Sequence, residues 1–137
     1  MNNQQHRIES LLSARLFLVP QVAGDYLYFI SNLSGRNSLY RMETGGSVPV
    51  PLLPSDIALQ NPHLMDGRSF VVFPGIGRIL VMIDQDGDEK YQPMLIPLTG
   101  GYPEPLDPDL FGGNSAFIVD EDLQENVIYL VVESSTE

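Results

Sequence analysis

The chain contains no cysteine. That absence excludes disulfides, thiolate metal sites and a cysteine nucleophile, and it fits a reducing compartment. Histidine is nearly as scarce, with His6 and His63 as its two representatives. Positive charge is thin as well: seven Lys and Arg stand against 18 Asp and Glu, for a formal net charge of −11. A field of that sign repels phosphate backbones, so neither nucleic acid nor an anionic membrane is expected as a partner. The plainest use of the surplus is solubility. No apolar run approaches the ~18 residues needed to span a bilayer. The opening residues, MNNQQHRIES, lack a basic segment followed by an apolar one, and Ser13 and Arg15 interrupt the first apolar cluster. No signal peptide is therefore expected, and the cytosol is the default location.

What is present argues for a packed β domain. The 137 residues are 43% hydrophobic, too apolar for a disordered chain and long enough to bury roughly two-thirds of the unfolded surface. Ile8, Leu11, Leu12 and Leu16 fall on one stripe of a helical surface, which predicts a short helix over about 3–15 that docks on the protein's own core. Pro20 ends that pattern. Short apolar runs then alternate with Gly, Pro, Asn and Asp: YLYFIS (26–31), SLYRM (38–42), SFVVFP (69–74), RILVMID (78–84), PMLIPL (93–98), SAFIVD (115–120) and NVIYLVVES (126–134). Eleven prolines and 12 glycines, mostly between those runs, supply the turns. Many short strands with Gly/Pro turns predict an all-β sandwich, barrel or propeller.

An internal echo narrows the choice. GDYLYFI (24–30) matches GRILVMI (77–83) at Gly, Leu and Ile. Each segment leads through a polar turn and another strand to Thr-Gly-Gly, at 44–46 and 99–101, and then to Pro-x-Pro-Leu, at 49–52 and 103–106. The offset runs from 53 to 55 positions and implies a two-residue insertion. A third unit begins near Asn114. A period near 50 residues built from short strands points to propeller blades, each of which must stack on its neighbours to bury its faces. The expected fold is mostly β: a helix and lead-in strand over 1–20, blade 1 over 21–56, blade 2 over 57–110 and an incomplete blade 3 over 111–137. That makes about two and a half propeller-like blades of antiparallel strands after a short N-terminal helix.

The segment RIESLLSARLFLVPQVAGDYLYFISNLSGRNSLYRM, with the following Gly-Gly and PLLP, resembles the amino-terminal opening of prolyl-oligopeptidase-type serine peptidases, a group that includes acylaminoacyl peptidases and dipeptidyl aminopeptidases. IDQDGDEKYQPMLIPLTGGYPEPL is similar to their second blade, a grammar that TolB-like propellers share. In that family the propeller caps an α/β-hydrolase domain and restricts which peptides reach the serine. The resemblance thus implies gating or binding of peptides and no catalytic residue in this chain. At two and a half blades, the chain departs from the family in length, since a closed ring needs at least about four.

The residues point the same way. A nucleophile elbow needs Gly-x-Ser-x-Gly at a strand-to-helix turn, followed by the acid and the His. GGNSAF (112–117) comes nearest and lacks the final Gly, and both histidines precede it. His63, in NPHLMDG, reads as a loop or blade-edge residue, and His6 as part of a solvated helix face. Asp84, Asp86, Asp88 and Glu89 offer the oxygen ligands that Ca²⁺ takes. An EF-hand would require Gly at 89 and Glu at 95, where the chain has Glu89 and Leu95. A hairpin turn centred on Asp86-Gly87 is the preferred reading, with calcium as its competitor. Gly75-Ile76-Gly77 lacks the remaining Gly and Lys of a phosphate loop, and the acids of VDEDLQE (119–125) read as a solvated loop between strands. No catalytic, cofactor-binding or metal-binding residue is therefore assigned. The expected partners are the α/β-hydrolase domain of a parent protein or other copies of this chain, with peptides as possible ligands.

Overall fold

The computed structural model describes residues 18–59, 68–84, 90–107, 109, 111 and 113–133. The helix expected over 3–15 lies outside them. The described chain is mostly β and forms three antiparallel sheets that do not close into a ring.

Sheet 1 is a four-stranded meander of β1 (Leu18–Ala23), β2 (Tyr26–Ser31), β3 (Ser38–Glu43) and β4 (Val50–Pro51). Gly24 and Asp25 form a two-residue loop that closes the Ala23↔Tyr26 pair. Positive φ falls on Gly24 alone in that loop (φ 60), the II′ pattern whose twist suits a hairpin. Sheet 2 comprises β5 (Ala58–Leu59), β6 (Phe70–Phe73), β7 (Arg78–Asp84), β8 (Tyr91–Pro97) and β9 (Glu104–Pro105). Both β5 and β6 pair with β7, opposite Ile83–Asp84 and Arg78–Val81 respectively, so they lie end to end along one edge of it. Sheet 3 is the hairpin of β10 (Ala116–Asp122) and β11 (Val127–Val132).

The continuous apolar runs of β2, β6 and β7 become strands covered on both faces. Tyr28 to Ser31, Phe70 to Phe73 and Ile79 to Ile83 are all buried. Tyr28, Ile30 and Leu39 of sheet 1 meet Phe70, Val72, Ile79, Val81 and Ile83 of sheet 2 in one core. The opposite face of sheet 2 (Val71, Phe73, Leu80, Met82) meets Phe111, Ala116 and Ile118, with Ile128 and Leu130 alongside, in a second. The far face of sheet 1 holds a third cluster of Phe29, Tyr40 and Met42. Each fully buried Val, Leu, Ile, Phe or Met side chain stabilises the fold by about 1.5–3 kcal/mol relative to exposure.

Sheets 1 and 2 repeat each other in register as well as in composition. Tyr40↔Pro51 and Arg41↔Val50 in sheet 1 recur as Met94↔Pro105 and Leu95↔Glu104 in sheet 2, every residue 54 positions on. The same step relates Leu52 N–H→Leu39 O (2.9 Å) to Leu106 N–H→Pro93 O (3.3 Å). It also relates Gly46 N–H→Glu43 O to Gly100 N–H→Pro97 O, both 2.9 Å, with φ 94 at Gly46 and φ 92 at Gly100. The identity match of the two Thr-Gly-Gly triplets at 55 positions is therefore one residue out of phase with the turns they build.

The second strand shows the same slip. Tyr28 pairs with Arg41, and Leu80 pairs with Leu95, so Tyr28 corresponds to Leu80, 52 positions on. The echo of GDYLYFI with GRILVMI is at 53, and one residue of slip exchanges the two faces of a strand. At 52 the faces agree: Tyr28 and Ile30 face sheet 2, as Leu80 and Met82 face sheet 3. The two-residue insertion is one extra ladder pair, Asp84↔Tyr91, at the end of the second hairpin.

One expectation is corrected. Of the acidic stretch read as loop, Val119 and Asp120 belong to the strand as the run 115–120 predicts, Glu121 and Asp122 continue it as the end of β10, and the turn occupies 123–126. A register shift between Ile118 and Asp120 leaves Val119 as the bulge residue. Such a bulge carries an acid-rich segment on in the sheet with its faces exchanged beyond it.

Candidate functional site

His6, His63, Asp86, Asp88 and Glu89 lie outside the described residues. Asp84 ends β7, half-buried opposite Tyr91. Among the described residues no group of three or more His, Asp or Glu side chains is placed to hold a metal ion. No helix among them is long and apolar enough to cross a membrane.

Ser115, the serine of the near-miss elbow, is built into the sheet. Its Oγ accepts the Tyr91 N–H at 3.3 Å and its carbonyl accepts the Glu133 N–H at 2.8 Å. The chain continues from it into β10 rather than into a helix, so the geometry of a nucleophile elbow is missing. Gly75-Ile76-Gly77 likewise belongs to a short 3₁₀ turn (Pro74–Ile76) that leads into β7. The Asn126 side chain lies over Gly75, 3.0 Å from where a Cβ would stand. A phosphate has neither a helix N-terminus nor an open cradle there.

Two polar devices join the sheets. The Gln21 amide of β1 accepts the Val72 N–H at 2.9 Å and donates to the Val72 carbonyl at 3.0 Å. A side-chain amide thus does for a buried residue of β6 what a neighbouring strand would do. Between sheets 2 and 3, Arg68 pairs with Glu121, whose second carboxylate oxygen is buried without a partner. Glu121 sits opposite Ile128 on the inward side of sheet 3, three positions past the inward-facing Ile118, because the bulge at Val119 shifts the alternation. The sheets also touch through backbone. Gly101 N–H donates to Leu52 O at 3.0 Å, and a Cβ on Gly100 would stand 2.8 Å from that same oxygen.

Among the described residues, an open cleft of about 470 Å³ against sheet 1 has the shape and chemistry of a ligand site. The β2–β3 turn and the start of β3 supply Ser34, Arg36 and Ser38, and the segment after β4 supplies Ser55. Leu53, Pro54 and Ile57 give it an apolar side. Tyr40, 4% exposed and stacked on Phe29, borders it, and the Tyr40 hydroxyl is buried with no hydrogen-bond partner. Asp56, between two lining residues, is exposed and does not line the cleft. No sequence signal marked this place. Ser34 and Arg36 come from a segment read as a turn, Ser38 and Tyr40 from the strand run that follows it, and the rest from the proline-punctuated stretch beyond; they converge because β4 pairs back onto β3.

No known protein-family model and no curated protein sequence matches the chain.

Proposed function

We propose that this chain is the non-catalytic β-propeller portion of a prolyl-oligopeptidase-like serine peptidase, with sheets 1, 2 and 3 as successive blades and a role in gating or binding peptide substrate. The observation that carries the reading is the repeat of strand register at 54 positions together with its stacking sense. The face of β2 that sheet 1 turns to sheet 2, with Tyr28 and Ile30, corresponds to the face of β7 that sheet 2 turns to sheet 3, with Leu80 and Met82. Head-to-tail stacking of equivalent antiparallel meanders is how propeller blades bury their faces. The test is on the native protein. An antibody raised against this chain is expected to detect a polypeptide well over 15.2 kDa that labels with a fluorophosphonate serine probe. A native species of about this mass that takes no label would sink the peptidase assignment.

A second reading, a stand-alone module that self-associates, is favoured by sheet 3. Its outward residues Tyr129 and Val131 are 53% and 51% exposed, and among the described residues β11 pairs only with β10. Phe29, Tyr40 and Met42 on the far face of sheet 1 are already buried, so a second copy would meet sheet 3 through its own sheet 3, a two-fold and self-limiting contact. Light scattering over a dilution series separates the readings: a concentration-dependent dimer supports self-association, and a monomer at every concentration removes it.

A further inference from the structure

We propose that the cleft between the β2–β3 turn and the segment after β4 binds an apolar carboxylate, of the kind presented by the C-terminal residue of a peptide. The argument stands on sheet 1 alone and does not depend on the propeller reading. In a chain with a net charge of −11, a lining whose described residues hold one guanidinium and no carboxylate is a local reversal of field. Among the described residues Arg36 is also the one cation without a partner. Arg41 lies over the Tyr26 ring, Arg68 pairs with Glu121, Arg78 donates to the Gly77 carbonyl and Lys90 is engaged elsewhere. An arginine fork matches a planar carboxylate bidentately. Ser34, Ser38 and Ser55 add hydroxyl donors around it.

The second, independent observation is the Tyr40 hydroxyl. A buried hydroxyl without a partner is costly in a folded protein and calls for an explanation. Tyr40 lines this same cleft, and its hydroxyl is shut off from solvent in the unliganded fold, so a carboxylate oxygen becomes its acceptor when the ligand parts the side chains that cover it. The apolar side chains of Leu53, Pro54 and Ile57 set the rest of the ligand. They favour an acid attached to an aliphatic or aromatic body over inorganic phosphate, since pockets bind through apolar walls and orient through a few polar groups.

The experiment titrates the full chain with N-acetyl-L-leucine, N-acetyl-L-leucine amide and inorganic phosphate in turn, following amide resonances by NMR. The expected result is saturable shifts confined to residues around Arg36, Tyr40 and Ser55 with the acid, and about tenfold weaker binding of the amide. Arg36→Gln, at an exposed position, should keep the melting temperature and lose the acid-over-amide preference. Tyr40→Phe removes a hydroxyl that makes no hydrogen bond in the unliganded fold, so it should hold or raise the melting temperature while weakening the acid about threefold. A merely structural tyrosine would not separate those two readouts. Equal binding of acid and amide, binding of phosphate in place of the acid, shifts elsewhere in the molecule, no binding at all, or an Arg36→Gln variant that binds normally would each overturn the proposal.

Discussion

Sheets 1 and 3 are built from the same kind of apolar strand, and they meet solvent in opposite ways. In sheet 1 both faces of the central hairpin are closed: Phe29 and Ile30, adjacent on β2 and pointing to opposite sides, are each 0% exposed. In sheet 3 the inward Ile118 is 6% exposed, whereas the outward Tyr129 and Val131 are about half exposed. The difference teaches that a strand's own sequence does not decide whether its second face is buried, because β11 is as apolar as β2. Neighbours decide it, as expected for architectures stabilised by stacking.

The largest effect should appear where both faces are closed. Phe70, 1% exposed in the core between sheets 1 and 2, is expected to cost about 3–5 kcal/mol as Phe70→Ala, the range for emptying a packed aromatic site. Val131→Ala on the open face should stay within about 0.5 kcal/mol. Urea unfolding of the two variants side by side checks this. Similar losses would mean that the outer face of sheet 3 is covered in solution and would support self-association.

A backbone contact comes next. Gly100 has φ 92, and a Cβ there would meet the Leu52 carbonyl oxygen at 2.8 Å and its Cα at 2.9 Å. Gly24, at φ 60, has nothing within 4 Å of that position. Gly24→Ala should therefore cost only the left-handed penalty of about 1–2 kcal/mol. Gly100→Ala must add displacement of sheet 2's turn from the end of sheet 1 and is expected to lose more, about 3 kcal/mol. Equal melting temperatures for the two variants would show that the turn does not bear on Leu52.

Gln21→Ala should be intermediate. It strands the N–H of Val72, a residue that is 0% exposed, and an orphaned buried donor costs about 1–3 kcal/mol. Hydrogen exchange gives the specific readout: the Val72 amide should lose protection out of proportion to its strand neighbours. Uniform loss along β6 would indicate general loosening and no clasp.

Much of the fold is legible in the strand runs, because Phe70–Phe73 and Ile79–Ile83 are continuous apolar stretches of strand length. The repeat is legible too, yet its register is not. Identities at Gly, Leu and Ile align β2 with β7 one residue out, since side-chain type carries less information than cross-strand pairing. Val50–Pro51 and Glu104–Pro105 read as turn punctuation and are edge strands instead, positions where a proline's missing N–H faces no partner. The bulge at Val119 is illegible because it depends on where β11 pairs. The cleft is illegible for the same reason: Arg36 and Ser55 become neighbours only through the β3–β4 ladder, and nothing local to either turn predicts it.

The smallest effect expected is at Arg68 and Glu121, and it is the one that most sharpens the contrast between the two seams. The seam of sheets 1 and 2 is fastened by a neutral amide on a buried backbone, and that of sheets 2 and 3 by an ion pair whose side chains are 36% and 20% exposed. Water screens a pair that accessible, so Arg68→Ala should cost about 0.5–1 kcal/mol and the cost should shrink as salt is raised. The Gln21→Ala loss should be independent of salt, because no charge is involved. Glu121→Gln should cost no more than Arg68→Ala, since the amide keeps one acceptor for the guanidinium and lowers the cost of burying the second, unpartnered position. If instead Arg68→Ala proves salt-independent and exceeds the Gln21 loss, the third sheet is held as firmly as the first two. The picture of one completed seam followed by a weaker one would then give way to three sheets of equal standing.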